Sequence, residues 1–125
     1  MNRGSNVLKV LLVDDQKITN FINLKVFEMV SVENQTIDYT DPEIAFRELD
    51  NHNPDIIFLD LMMPRLNGWE FLDRMKSQKI ELPVVILSSS TSPEDFSRAE
   101  QYNNVLDYFT KPLQRDDIEK LLAKL

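Results

Sequence analysis

The sequence predicts an α/β fold: a doubly wound, five-stranded parallel sheet with helices on both faces. Three observations carry that prediction. Short apolar runs alternate with segments of helical period. The alternation repeats five times without a linker or low-complexity tract. The central strand-like run, Ile-Ile-Phe-Leu over 56–59, is continuously apolar, as expected of a strand covered on both sides. Alternation of this kind implies right-handed crossovers, which point every strand the same way. The 125 residues suit one domain with one core.

The elements follow in order. Val7 to Val13 is an apolar run and reads as a buried strand. Ile18, Phe21, Ile22, Val26, Met29 and Val30 recur at helical spacing, which predicts a helix over 16–31. Thr36 to Tyr39 reads as a weaker strand. Asp41-Pro42 predicts an N-cap and a proline at the first helical position, with Ala45 and Leu49 facing inward from the helix that follows. Asp55 to Leu59 contains Ile-Ile-Phe-Leu, a strand buried on both faces. Pro64 and Gly68 bracket a loop, and Phe71, Leu72 and Met75 mark the next helix. Pro83 to Leu87 is another strongly apolar strand. Ser92-Pro93-Glu94-Asp95 predicts an N-cap, a proline at N1 and an acidic N3 residue. Val105 to Phe109 is a short strand. Leu113, Ile118, Leu121 and Leu122 line a last helix.

Composition narrows the chemistry. Net charge is −7, which argues against non-specific nucleic-acid binding. There is no cysteine, so disulfides and thiolate chemistry are excluded and a reducing compartment is compatible. Met1 to Asn6 has no apolar stretch suited to a secretory signal, and no segment approaches the roughly 20 apolar residues of a membrane helix. The expected location is the cytoplasm. The single histidine, His52, lies in the turn-like Asn51-His52-Asn53-Pro54 and reads as an exposed loop residue. Only Gly4 and Gly68 are glycines, too few for a P-loop or a dinucleotide fingerprint.

Parallel strands share one C-terminal edge, where ligands of such sheets bind. Asp14 and Asp15 follow the first strand, Asp60 follows the third, Ser88 ends the fourth, and Thr110-Lys111 follows the fifth. Each has a plainer role available. Asp14 or Asp15 suits a helix cap, Asp60 a turn, Lys111-Pro112 a turn, and Ser88 to Ser92 a polar loop. Their joint placement on four strand ends favours a site. Three clustered carboxylates repel one another unless a cation joins them. Hard oxygen ligands suit Mg²⁺, and Lys111 suits a further anion such as a phosphoryl group. A carboxylate can itself be the nucleophile that carries an aspartyl-phosphate.

Taken in order, Leu11-Leu12-Val13-Asp14-Asp15, Asp60-Leu61-Met62-Met63-Pro64 with Asn67-Gly68, Pro83-Val84-Val85-Ile86-Leu87-Ser88-Ser89 and Asp107-Tyr108-Phe109-Thr110-Lys111-Pro112 resemble the receiver domain of bacterial two-component response regulators. The resemblance spans essentially the whole chain. It implies a flavodoxin-like fold with strand order 2-1-3-4-5. It implies that Asp60 accepts a phosphoryl group from a histidine kinase or a histidine phosphotransfer protein. It assigns Mg²⁺ to Asp14, Asp15, Asp60 and the carbonyl of Met62, and phosphoryl contact to Lys111. Ser88 takes the switch hydroxyl position and Tyr108 the switch aromatic position. The Lys111-Pro112 bond is expected to be cis, as in other receivers. Asn104 replaces a glycine common at the end of the fourth predicted helix and is expected to keep a left-handed turn there.

Such a domain is a phosphoacceptor switch rather than a turnover enzyme. Its expected output or dimer surface is the fourth predicted helix, the fifth strand and the last helix, acting on a protein target without direct nucleic-acid binding. The chain closes at Leu125, where the last receiver helix is expected to end; as a natural chain it is expected to be a stand-alone receiver over 1–125 with a flexible extension over 1–6, and as an excised domain its output would lie outside this sequence. Two other readings are less well matched. Phosphatases of the haloacid dehalogenase type carry their nucleophile right after the first strand with a second Asp two positions on, whereas Asp14 and Asp15 are adjacent and Gln16 follows. A degenerate receiver that binds partners unphosphorylated conflicts with the intact set Asp14, Asp15, Asp60, Ser88 and Lys111. Trp69, beside Gly68, is expected to pack at the start of its helix.

Overall fold

The computed structural model describes residues 7–124, so the extension expected over 1–6 lies outside the described residues. Five strands form one sheet in the order β2-β1-β3-β4-β5: β1 (Leu8–Val13), β2 (Asn34–Tyr39), β3 (Ile56–Leu59), β4 (Val84–Ser88) and β5 (Val105–Thr110). Every pairing is parallel. Among the described residues, five helices lie between the strands, α1 (Lys17–Glu28), α2 (Pro42–Arg47), α3 (Leu49–His52), α4 (Gly68–Ser77) and α5 (Pro93–Ala99), and α6 (Arg115–Leu122) follows β5.

The alternation of side chains along each strand divides the interior into two cores. Leu11, Val13, Ile57, Leu59, Val84 and Ile86 face one side, where Leu49, Phe71, Met75 and Tyr102 cover them. Val10, Leu12, Ile56, Phe58, Val85 and Leu87 face the other, beneath Phe27 of α1 and Ile118 and Leu121 of α6. Covering both faces explains why β3 and β4 read as apolar runs and why β1 is interrupted only by Lys9.

Several local expectations change. The helical spacing identifies α1, but its apolar residues do not all face the core: Ile18 and Phe21 are 63% and 53% exposed, and Ile22 and Met29 are exposed too, whereas Val26 and Val30 are buried. The inward face carries Asn20, Asn23, Val26 and Phe27. α1 is apolar on two sides, so periodicity alone does not choose between them. The single helix expected after Pro42 breaks at Glu48, although Ala45 and Leu49 are buried as expected. Asp41 caps α2 through bonds from the Glu43 and Ile44 amides, 2.9 and 3.4 Å. Ser92 stands at the N-cap of α5 but accepts no amide; its hydroxyl donates to Glu94 at 2.7 Å instead. The left-handed asparagine is Asn53, which ends α3 at φ 44°. Asn104 is not left-handed; its side chain donates to the Leu82 carbonyl at 2.9 Å. His52 is half-buried at the end of α3, 2.7 Å from the Tyr39 hydroxyl, rather than an exposed loop residue.

Candidate functional site

The sheet register builds the site. Val13 lies opposite Leu59, so the residues that follow, Asp14 and Asp60, are neighbours. The ladder continues past the strands: the Asp60 amide donates to the Val13 carbonyl at 2.9 Å, and the Lys111 amide donates to Ser88 at 2.8 Å. Backbone bonding therefore fixes four of the expected residues before any side chain is considered.

Asp14, Asp15 and Asp60 each present an oxygen within 4.8 Å of the others. Asp14 and Asp60 are buried, and Asp15 is partly exposed. Asp14 Oδ1 accepts the Gln16 amide at 2.9 Å, so the residue also shapes the turn into α1. Its Oδ2 accepts Lys111 Nζ at 2.7 Å, and that ammonium lies 3.4 Å from Asp60 Oδ1. Lys111 thus bridges two carboxylates, and the Lys111-Pro112 bond behind it is cis.

Burial, reinforced by the negative charge of Asp14, pushes the Asp60 carboxyl up to about 6. Lys111 and the Met62 amide oppose that rise without cancelling it. Burial works against charge on Lys111, but its bond to Asp14 and the charges of Asp60 and Asp14 outweigh it, and its pKa is raised. Among the described residues, the three carboxylates thus share the ammonium of Lys111. A divalent ion on the three carboxylates would complete the compensation. The all-oxygen donor set fits Mg²⁺.

Ser88 is fully buried, and its Oγ accepts the Ser90 amide at 3.1 Å. Tyr108 is half-buried; its hydroxyl donates to the Ser90 carbonyl at 2.9 Å and its ring meets Phe96 edge-on, 4.4 Å between centroids. Both residues expected to switch thus hold the same loop. The Met62 side chain is 74% exposed. Trp69 is stacked on Tyr102 at 6.0 Å, with the Arg98 guanidinium 4.5 Å from its ring.

Two residues shape the site in ways the sequence did not indicate, although Gly68 belongs to the motif that carries the resemblance. Gly68 is one: a Cβ there would lie 2.5 Å from the Asp60 carbonyl oxygen and 2.8 Å from Leu61 Cα. Its amide donates to the Leu61 carbonyl at 2.9 Å, so the α4 start closes directly onto the segment after Asp60. Asn20 is the other, donating from Nδ2 to the Asp14 carbonyl at 3.0 Å. No sequence signal marked it, since periodicity did not choose the inward face of α1 and Asn23 shares that face.

With this geometry in view, the comparisons with known proteins agree. Residues 10–123 match the family model described as "Response regulator receiver domain". The chain belongs to the response regulator receiver domain family. Its place is therefore in two-component phosphorelay signalling. The receiver is 30% identical to the probable methanogenesis regulatory protein FilR2 of Methanothrix harundinacea, matching 93% of this chain and 79% of that protein. It is 30% identical to the probable C4-dicarboxylate response regulator DctR of Bacillus subtilis, of which it spans 51%. A crystal structure of a two-component response regulator from Cytophaga hutchinsonii is 33% identical and superimposes with a TM-score of 0.86 over 95% of this chain and 96% of that one. Among the described residues, no helix is long and apolar enough to cross a membrane.

Proposed function

We propose that the receiver accepts a phosphoryl group on Asp60 from a phosphohistidine of a histidine kinase or phosphotransfer protein, in a Mg²⁺-dependent reaction. The observation that carries the reading is the meeting of Asp14, Asp15 and Asp60 within 4.8 Å, bridged by Lys111, at the sheet's C-terminal edge. A carboxylate oxygen of Asp60 attacks phosphorus, the P–N bond of the donor breaks, and the imidazole leaves. Asp14, Asp15, Asp60 and the Met62 carbonyl would hold Mg²⁺, which supplies charge stabilisation to the transferring phosphoryl oxygens. Lys111 turns from Asp14 toward the new phosphoryl group, where a preorganised cation is worth most.

The switch follows from the same contacts. Ser88 leaves the Ser90 amide to donate to a phosphoryl oxygen. The loop it held then moves, and Tyr108, bonded to that loop through the Ser90 carbonyl, moves with it. One new charged group thereby biases a two-state element. The face formed by α5, β5 and α6 carries the change to a protein target or to a second receiver. The protein works as a phosphoacceptor, with only self-catalysed transfer and hydrolysis.

The test is labelling. Wild type incubated with Mg²⁺ and phosphoramidate or acetyl phosphate is expected to gain one hydroxylamine-labile phosphoryl group by intact mass, and Asp60→Asn none. No labelling with either donor would favour a receiver that signals unphosphorylated. Rapid multiple turnover of phosphate esters would favour a phosphatase.

A further inference from the structure

Asn20 is 1% exposed and sits in the second turn of α1, against the sheet. A buried amide in that position is costly unless its groups are bonded. Its nitrogen is well used: it donates to the Asp14 carbonyl at 3.0 Å and to the Tyr39 carbonyl at 3.2 Å. The Tyr39 carbonyl also accepts the Asp14 amide at 3.2 Å. One side chain therefore ties the end of β1 to the end of β2, on the two sides of Asp14. The bonded carbonyl belongs to the peptide that joins Asp14 to Asp15. Holding that peptide sets the direction in which both carboxylates leave the backbone.

The oxygen of the same amide is different. Asn20 Oδ1 is buried with no hydrogen-bond partner. Buried acceptors left unmade are rare, and those in native proteins are commonly met by an internal water. Asn20 lines a small void of about 10 Å³ whose other polar walls are Asn23, Asp14 and Asp60, over an apolar floor that includes Phe58 and Leu87. That volume is about the minimum for a single water molecule, and the walls offer it several polar partners. Neither the void nor the orphan oxygen has a part in the phosphoryl transfer proposed above.

We propose that Asn20 is a positioning residue of the carboxylate cluster, its amide nitrogen locking the Asp14–Asp15 peptide and its buried oxygen holding one water molecule behind Asp60. The proposal rests on the reading of the cluster as a Mg²⁺ site. Asn20 touches neither metal nor phosphoryl group. It acts through the residues that do, as partners behind metal ligands commonly act.

Mg²⁺ titration by calorimetry, with thermal melts of the same samples, tests it on wild type, Asn20→Leu and Asn20→Ala. Leucine removes donor and acceptor and fills the void. Alanine leaves space and is the variant that decides if leucine does not fold. Among folded samples, Mg²⁺ affinity is expected to fall by about tenfold or more for leucine, the usual size of such losses, and by about a third as much for alanine. A purely structural asparagine would lower the melting temperature and leave Mg²⁺ affinity within twofold of wild type, and that result overturns the proposal. Wild type without Mg²⁺ affinity would instead overturn the metal-site reading beneath it. A high-resolution crystal structure of wild type is expected to show a water within hydrogen-bond distance of Asn20 Oδ1; an empty void overturns the water.

Discussion

The floor and the rim of the site are built differently. Asp14, Asp60 and Ser88 close three interior strands, and each is buried. Asp15, Met62, Lys111 and Tyr108 surround them and are at least partly exposed. The floor is held by ladder bonds that extend past the strand ends. The rim is held by side-chain contacts that can be exchanged: Lys111 on Asp14, Tyr108 on Ser90. A fixed floor concentrates charge where it is unfavourable, and an exchangeable rim lets groups move when that charge changes.

The sharpest way to break this contrast is to remove the strain of the floor. Asp60 is pushed up to about 6 against a usual 3.8. A carboxyl raised on folding favours the folded state in its protonated form. Its stabilising effect is complete below the unfolded value near 3.8 and is lost as pH rises through 6. Above that, ionised Asp60 costs about 3 kcal/mol at 1.36 kcal/mol per pKa unit. Asp60→Asn is therefore expected to raise unfolding free energy by about 2–3 kcal/mol at pH 7.5 in the absence of divalent cations, and by almost nothing at pH 4. Urea unfolding at the two pH values measures both. An equal effect at both would mean that Asp60 carries no charge strain.

The next largest effect comes from the contact that holds the floor's backbone. At Gly68 a new Cβ would meet two backbone atoms that cannot rotate away, the Asp60 carbonyl oxygen and Leu61 Cα, as well as the Leu61 side chain at 2.9 Å. Gly68→Ala is expected to cost about 1–3 kcal/mol, the usual range for overpacking, and to weaken Mg²⁺ binding by displacing the Asp60–Leu61 backbone. A folded alanine variant with wild-type stability would show that the α4 start moves freely over the site.

The floor was also the more legible part. Asp14, Asp60 and Ser88 follow from strand ends and parallel direction, and the register then brings them together without further assumptions. Lys111 was placed by the same reasoning. What could not be read was orientation. The apolar stripe through Ile18, Phe21 and Ile22 identified α1 but not its inward face, because the buried side is partly polar. Asn104 fitted the composition of a left-handed cap, yet a side-chain bond to Leu82 serves that turn, and the left-handed conformation falls at Asn53. Gly68 was visible as a loop residue, but its crowding by the Asp60 carbonyl is a tertiary fact. Sequence patterns report local preference, whereas these outcomes depend on which neighbour arrives.

The smallest expected effect tests whether the rim acts on the floor before any phosphoryl group is present. Tyr108→Phe deletes one hydrogen bond, from the hydroxyl to the Ser90 carbonyl, and keeps the ring against Phe96. A single partly buried bond contributes about 0.5–1.5 kcal/mol, so a loss of about 1 kcal/mol or less is expected in urea unfolding. The Asp60 geometry is set by β1, β3 and Gly68 rather than by this loop. Labelling by phosphoramidate should therefore proceed within about twofold of the wild-type rate, since one lost bond of that size on the loop does not reach the ladder. What should change is the reading of the phosphoryl group, because Tyr108 no longer follows the Ser90 carbonyl when Ser88 lets the loop go. Amide exchange in β5 and α5 with and without beryllium fluoride measures that response. A labelling rate lowered tenfold would mean that the loop already bears on Asp60 at rest, and that floor and rim are one unit.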